Sequence, residues 1–229
     1  KDKSMVGAFT QAAARGSAAI LGIAFVENIY GNSGMAPMMI VSAVPLYNIF
    51  SVVILTFGAS DADTADRSGN IRKACINVVK NPIIIGILAG CIFAFFRIPI
   101  PYIPLKAISN IAATASPIAL LVVGATFEGR KALAKIKPSL VATLIKLVII
   151  PAIFFPFAIL FGFRNSELVA ILVMLGSPTT VSCYIMAKNM NNDAVLTSSI
   201  VVMATLLSSI SLTCLLYTSP SPRDKRQSR

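Results

Sequence analysis

Only a few polar groups in this chain sit where they could do chemistry, and the sharpest group is Gly176-Ser177-Pro178-Thr179-Thr180. These residues interrupt an apolar run from Glu167 to Ala187. Pro178 has no backbone N–H to donate, so a helix broken here leaves carbonyls and amides without internal partners. In hydrocarbon such a break is tolerated only where protein or a water-filled cavity satisfies those groups. Ser177, Thr179, Thr180 and Ser182 add hydroxyls at the break, and a half-helix N-terminus beside them can attract an anion. The alternative is a proline-kinked helix whose Ser and Thr side chains bond back to their own carbonyls.

A second interruption, Arg15-Gly16-Ser17, lies in another apolar stretch, in the other half of the chain. Two interrupted helices in different halves are the expected sign of a repeat-built transporter with its site near the midplane. Arg15 either binds an anionic substrate or marks a helix end by snorkelling. Lys146 falls about 12 Å along the axis of the fifth apolar segment. It either faces the bundle, pairing with substrate or a carbonyl, or extends its stem toward the interface. Asn48 and Asn110 are candidates for burial without an assigned role. Asn189, Asn191, Asn192 and Asp193 read as a polar loop and helix cap, Glu27 and Asn28 with the following YGNSG as a helix end and turn, and Glu128 as a boundary charge.

Other chemistries are poorly supplied. Histidine and tryptophan are absent, which removes His-dependent acid–base work, His-based nucleophile systems and His-containing metal sites. Cys75, Cys91, Cys183 and Cys214 show no CxxC spacing and read as small buried side chains. No catalytic residue, metal ligand or cofactor is assigned.

The elements that must position these groups are membrane helices. The chain is 56% hydrophobic and 13% charged, with mean hydropathy +0.80. That leaves too little polar surface to cover a soluble domain of this length. Seven hydrophobic segments can be drawn: Met5–Ile29, Ala36–Gly58, 82–96, Leu105–Phe127, Pro138–Phe161, Glu167–Ala187 and Ala194–Leu215. A polar connection over 59–81 divides the chain into halves. Nine basic residues lie in the gaps at 59–81, 129–137 and 188–193, against Arg97, Lys106 and Arg164 in the opposite gaps. By the positive-inside rule the central loop is cytoplasmic and the C-terminus outside. The net charge of +11 therefore reads as a topology signal and not as a nucleic-acid surface. The composition changes abruptly at LYTSPSPRDKRQSR, from Leu216. Residues 217–229 resemble translated vector or adapter sequence and are excluded from fold reasoning.

With these stretches in view, the chain resembles the auxin efflux carrier family, which includes bacterial malate and malonate permease-like members. The matching pieces are RGSAAILGIAFVENIYG from Arg15, Lys80-Asn81-Pro82 with Gly86, SPIALLVVGATFEGR from Ser116, KLVIIP from Lys146, and GSPTTVSCYIMAKNMNNDAVLTSSIVVMATLLSS from Gly176. The resemblance implies an all-α, inverted-repeat transporter of ten membrane helices, whose fourth and ninth helices are broken and cross beside the substrate. Residues 1–58 would end the first repeat with two membrane helices, 59–81 would be the cytoplasmic loop, and 82–216 the second five-helix repeat. Three further helices would precede Lys1, and the sequence without them is expected to be inactive. Arg15–Gly22 would lie on the first crossing helix and Gly176–Ser182 on the second. Many relatives carry Asn at the position of Ser17 and Pro near Ala24, so only the second crossing keeps its proline here, at Pro178.

The expected function is secondary transport of a small organic anion, a mono- or dicarboxylate, across the cell membrane by alternating access. Arg15, Ser17, Lys146, Ser177, Pro178, Thr179, Thr180 and Ser182 are the candidate substrate-binding residues. Coupling to a proton or sodium gradient and assembly as a homodimer are open alternatives. The competing expectation is a membrane receptor that binds a ligand without moving it.

Overall fold

The computed structural model describes residues 3–17, 26–27, 34–59 and 67–218. In hydrocarbon every backbone N–H and C=O must find an internal partner, so long apolar runs become helices. They are α1 (Lys3–Ala14), α2 (Ala36–Gly58), α3 (Arg67–Lys80), α4 (Pro82–Phe95), α5 (Tyr102–Thr126), α6 (Gly129–Ala134), α7 (Ile136–Leu160), α8 (Asn165–Gly176), α9 (Ser182–Asn189) and α10 (Ala194–Thr218). Four of these, α2, α5, α7 and α10, are long and apolar enough to cross a membrane, while Ile84–Phe95 and Asn165–Gly176 are shorter apolar helices. Among the described residues there is no strand, only an isolated bridge between Gly16 and Thr179. The protein is an all-α, multi-pass bundle of the cell membrane.

Several expected segments return with nearly the same limits, and others differ for physical reasons. The polar connection over 59–81 contains α3, which packs on α2 and α4. Its Asn77 amide donates to Thr56 Oγ1 at 3.3 Å, and Val78 packs against the Val52–Leu55–Met186–Ala187 cluster. Too polar to cross the bilayer, this stretch gains its helix from one packed face, as short helices generally do. Asp61, Asp63 and Asp66 lie outside the described residues. The fifth segment carries a π-helical turn, Ile145–Ile149, in its middle. Pro151 cannot donate to the carbonyl four residues back, and its ring crowds that carbonyl. The turn ahead of it widens, so that the Ile150 N–H reaches the Ile145 carbonyl five residues back. Asn110 is exposed on α5, contrary to its expected burial, because α5 turns residues such as Ile103, Ile111 and Leu121 outward.

The core is built where small residues let helices approach. Ala8, Ala12 and Ala13 of α1 meet Ala142 of α7 and Leu196 and Ile200 of α10. Val26 and Ala36 pack with Val169, Ala170 and Val173 of α8. A close approach joins α1 to α2 at Gly7 and Gly58. A Cβ on Gly58 would stand 2.7 Å from the Gly7 Cα and 2.8 Å from Asn192 Oδ1. Because the nearest obstacle is backbone, Gly58→Ala is expected to destabilise the fold by about 2 kcal/mol. A fall in thermal midpoint in detergent, with Gly86→Ala as the uncrowded control, checks this.

The α9–α10 loop ties these ends together. Asn192 Nδ2 donates to the Leu55 carbonyl at 2.9 Å, and Asp193 Oδ1 caps α10 by accepting from the Leu196 N–H at 3.0 Å. The other Asp193 carboxylate oxygen pairs with Lys135. The cap expected at Asp193 is therefore present, while Asn192 reaches across to another helix.

Candidate functional site

The two sequence interruptions meet each other. Helix α1 stops at Ala14 and α8 at Gly176, and the segments that follow lie antiparallel, with Gly16 opposite Thr179. The Ser17 N–H donates to the Pro178 carbonyl at 2.8 Å. Ser177 is extended, with φ −64° and ψ 144°, the region a residue before proline is pushed into. The last carbonyls of a helix lack intrahelical partners, and the second break supplies one for α1. Thr179 Oγ1 donates to the Ala12 carbonyl of α1 at 2.8 Å. Ser177 Oγ turns back to the Met174 carbonyl of its own helix at 3.2 Å.

Two cations flank this meeting point. Lys146 sits in the π turn of α7, 1% exposed, and its Nζ donates to the Leu175 carbonyl at 3.0 Å. It crosses directly over Gly16: a Cβ there would lie 2.9 Å from Lys146 Nζ and also against Ser177 Oγ. Arg15, 7% exposed, extends the other way. Its guanidinium donates to Asn48 Oδ1 at 2.9 Å and to Met186 Sδ at 2.9 Å, with Ser51 Oγ at 3.4 Å. Asn48 is held in register by its own amide, which donates to the Val44 carbonyl at 2.8 Å. Among the described residues, Arg15's side-chain acceptors are all neutral. Among the described residues the ion pairs are Glu128–Lys131 and Lys135–Asp193, neither of which involves Arg15 or Lys146. Burying a charge without a counter-charge is costly, so this site is electrostatically suited to an anion.

Of the eight candidate residues, Arg15, Ser17, Lys146, Ser177, Pro178 and Thr179 converge here. Thr180 and Ser182 instead approach one another at 3.5 Å where α9 begins. Both cations are buried and bonded to other helices. The back-bonding alternative holds for Ser177 but not for Thr179, whose hydroxyl serves another helix. Sequence reasoning gave no role to Asn48 and passed over Ser51, Met186 and Gln11, which line the Arg15 side. Gln11 Nε2 contacts Met186 Sδ at 3.7 Å, and its Oε1 is buried without a partner. Their signal was spacing: Arg15 follows Gln11 by four residues just past the end of α1, where its N–H still donates to the Gln11 carbonyl at 3.1 Å, and Asn48 and Ser51 are three apart on one face of α2.

No curated protein matches the chain. A family model described as "Membrane transport protein" matches residues 2–216, nearly the whole length. With its apolar crossing helices, and with two interrupted segments meeting between buried cations, the chain belongs to this membrane transport family, that of the auxin efflux carriers and malate/malonate transporters.

Proposed function

We propose that the protein moves a small organic anion, a mono- or dicarboxylate, by alternating access around the Gly16–Thr179 bridge. Membership of a transporter family supports transport over enzymatic chemistry. The observation that carries the site is the pair of buried cations, Arg15 and Lys146, beside two broken backbone segments and without a carboxylate partner among the described residues. The substrate carboxylate supplies the missing charge. Arg15 provides a planar donor fork suited to a carboxylate, and Lys146 keeps N–H groups beyond the one given to Leu175. Ser17, Ser177, Pro178 and Thr179 define the backbone against which the anion is held. In this reading the two breaks belong to crossing helices of inverted repeats, with the second repeat over 82–216. Motion of one bundle against the other exposes the site to each side in turn.

Uptake of labelled malate, malonate and an auxin-like monocarboxylate into proteoliposomes, with and without imposed proton and sodium gradients, tests the reading on the full reading frame. Saturable flux is expected for at least one of them. Thr179→Val keeps the side-chain shape but leaves the Ala12 carbonyl unpaired, a loss of about 1–3 kcal/mol, and should lower flux roughly tenfold or more. Binding without flux in the unaltered, folded protein would reject the carrier and make this a receptor.

A further inference from the structure

The C-terminal end of a helix is a cation site in waiting, because its last carbonyls carry partial negative charge and lack intrahelical donors. In transporters with broken helices these ends are where coupling metal ions are commonly held. At the end of α8 three successive carbonyls are already engaged. The Val173 carbonyl accepts from the Ser177 N–H at 2.9 Å, the Met174 carbonyl from Ser177 Oγ at 3.2 Å, and the Leu175 carbonyl from Lys146 Nζ at 3.0 Å. The last of these donors is a full positive charge, brought from a different helix and almost completely buried.

The surroundings are shaped to receive it. Gly16 provides the opposite wall: a side chain there would stand 2.9 Å from Nζ and 3.1 Å from Cε. The π turn in α7 sets the angle at which the lysine stem leaves its helix. Two positive charges a few ångströms apart in a poorly screened interior repel strongly, so a metal cation and the Lys146 ammonium exclude each other here. No carboxylate among the described residues pairs with Lys146 to offset a second charge.

On the carrier reading above, we infer that the Lys146 ammonium is a tethered cation occupying the helix-end position of a coupling metal ion. The organic anion is therefore carried without sodium, and removal of the side chain opens a site for a small monovalent cation between Leu175 and Gly16.

The test compares the unaltered full-length protein with Lys146→Ala, using sodium chloride against choline chloride at equal ionic strength. Organic-anion flux of the unaltered protein should be the same in both salts. Flux of Lys146→Ala should fall below about a tenth in choline and rise at least ~3-fold in sodium. Thermal unfolding of purified Lys146→Ala in detergent should shift upward by ~3 °C in sodium, as expected for a cation that binds only the folded state, with no such shift in the unaltered protein. Should Lys146→Ala yield no folded protein, Lys146→Ser, which is neutral and too short to reach the Leu175 carbonyl, replaces it in both measurements. Sodium-stimulated flux in the unaltered protein overturns the inference, as does a neutral variant indifferent to sodium in both flux and unfolding. Absence of organic-anion flux from the unaltered protein would reject the carrier reading alone, and the unfolding shift would still decide for or against the cation site.

Discussion

Gly16→Ala is expected to reduce organic-anion flux to below about a tenth of its starting value. Gly16 is needed for close approach of two backbones and a lysine head, which only a residue without a Cβ permits. The added carbon would press on Ser177 Oγ and stand 2.9 Å from Lys146 Nζ. Each of those atoms is already committed, Ser177 to the Met174 carbonyl and Lys146 to the Leu175 carbonyl. Moving either one releases a carbonyl at the end of α8, and overpacking of this kind costs about 1–3 kcal/mol. The cost falls on the one place where the two breaks meet, so function suffers more than folding. Ser177→Ala in the Gly16→Ala background removes one obstacle and should recover part of the flux. Gly124→Ala, with nothing within 4 Å of the added carbon, should leave it unchanged. Full activity in Gly16→Ala would mean that the bridge is not at the transport site.

Arg15 should govern affinity. Its guanidinium is held by Asn48 on α2 and Met186 on α9, so the charge is oriented by two other helices. Arg15→Gln removes the charge, and a charge-assisted hydrogen bond to a carboxylate is worth about 1.5–3 kcal/mol. The half-saturating concentration for the organic anion should therefore rise roughly 10- to 100-fold. Arg15→Lys should restore little of this. A lysine has one point of charge and cannot both keep its two neutral acceptors and present a fork to the substrate. Concentration dependence of uptake in the three proteins checks the prediction. An unaltered half-saturating concentration in Arg15→Lys would show that only a positive charge at the helix end is required.

Arg15 and Lys146 divide the work of the site differently. Arg15 rests on side chains, which can rearrange when a ligand arrives. Lys146 rests on a backbone carbonyl and against a glycine, and stays where the two breaks put it. An anion entering between them meets one adaptable cation and one fixed one. On the proposed function, this division would let a site without a carboxylate partner among the described residues hold two buried charges and still release its substrate.

Much of the architecture was determined locally and was legible in the amino-acid order. Hydrocarbon forces backbone groups to bond within their own segment, so the apolar runs at 36–58, 82–96 and 194–215 could only be helices. Pro178 and its neighbours had to bend or end one. The Asp193 cap follows from a rule that operates over three residues. Helix α3 was less legible because its stability comes from packing on α2 and α4, and the π turn because it answers a proline several residues ahead.

What only the tertiary structure decided is which groups meet. Thr179 satisfies Ala12, 167 positions away in sequence, and Lys146 satisfies Leu175 on another helix. Each break, taken alone, was equally compatible with a simple kink, because an unpaired carbonyl carries no record of its eventual partner. Asn48 looked like an isolated polar residue until α2 packed beside α1 and gave its oxygen to Arg15. Local backbone bonding made the helices readable in the sequence, but the site arises from orphaned groups on different helices. Those groups find partners only when small residues such as Gly7, Gly16 and Gly58 bring the segments into contact.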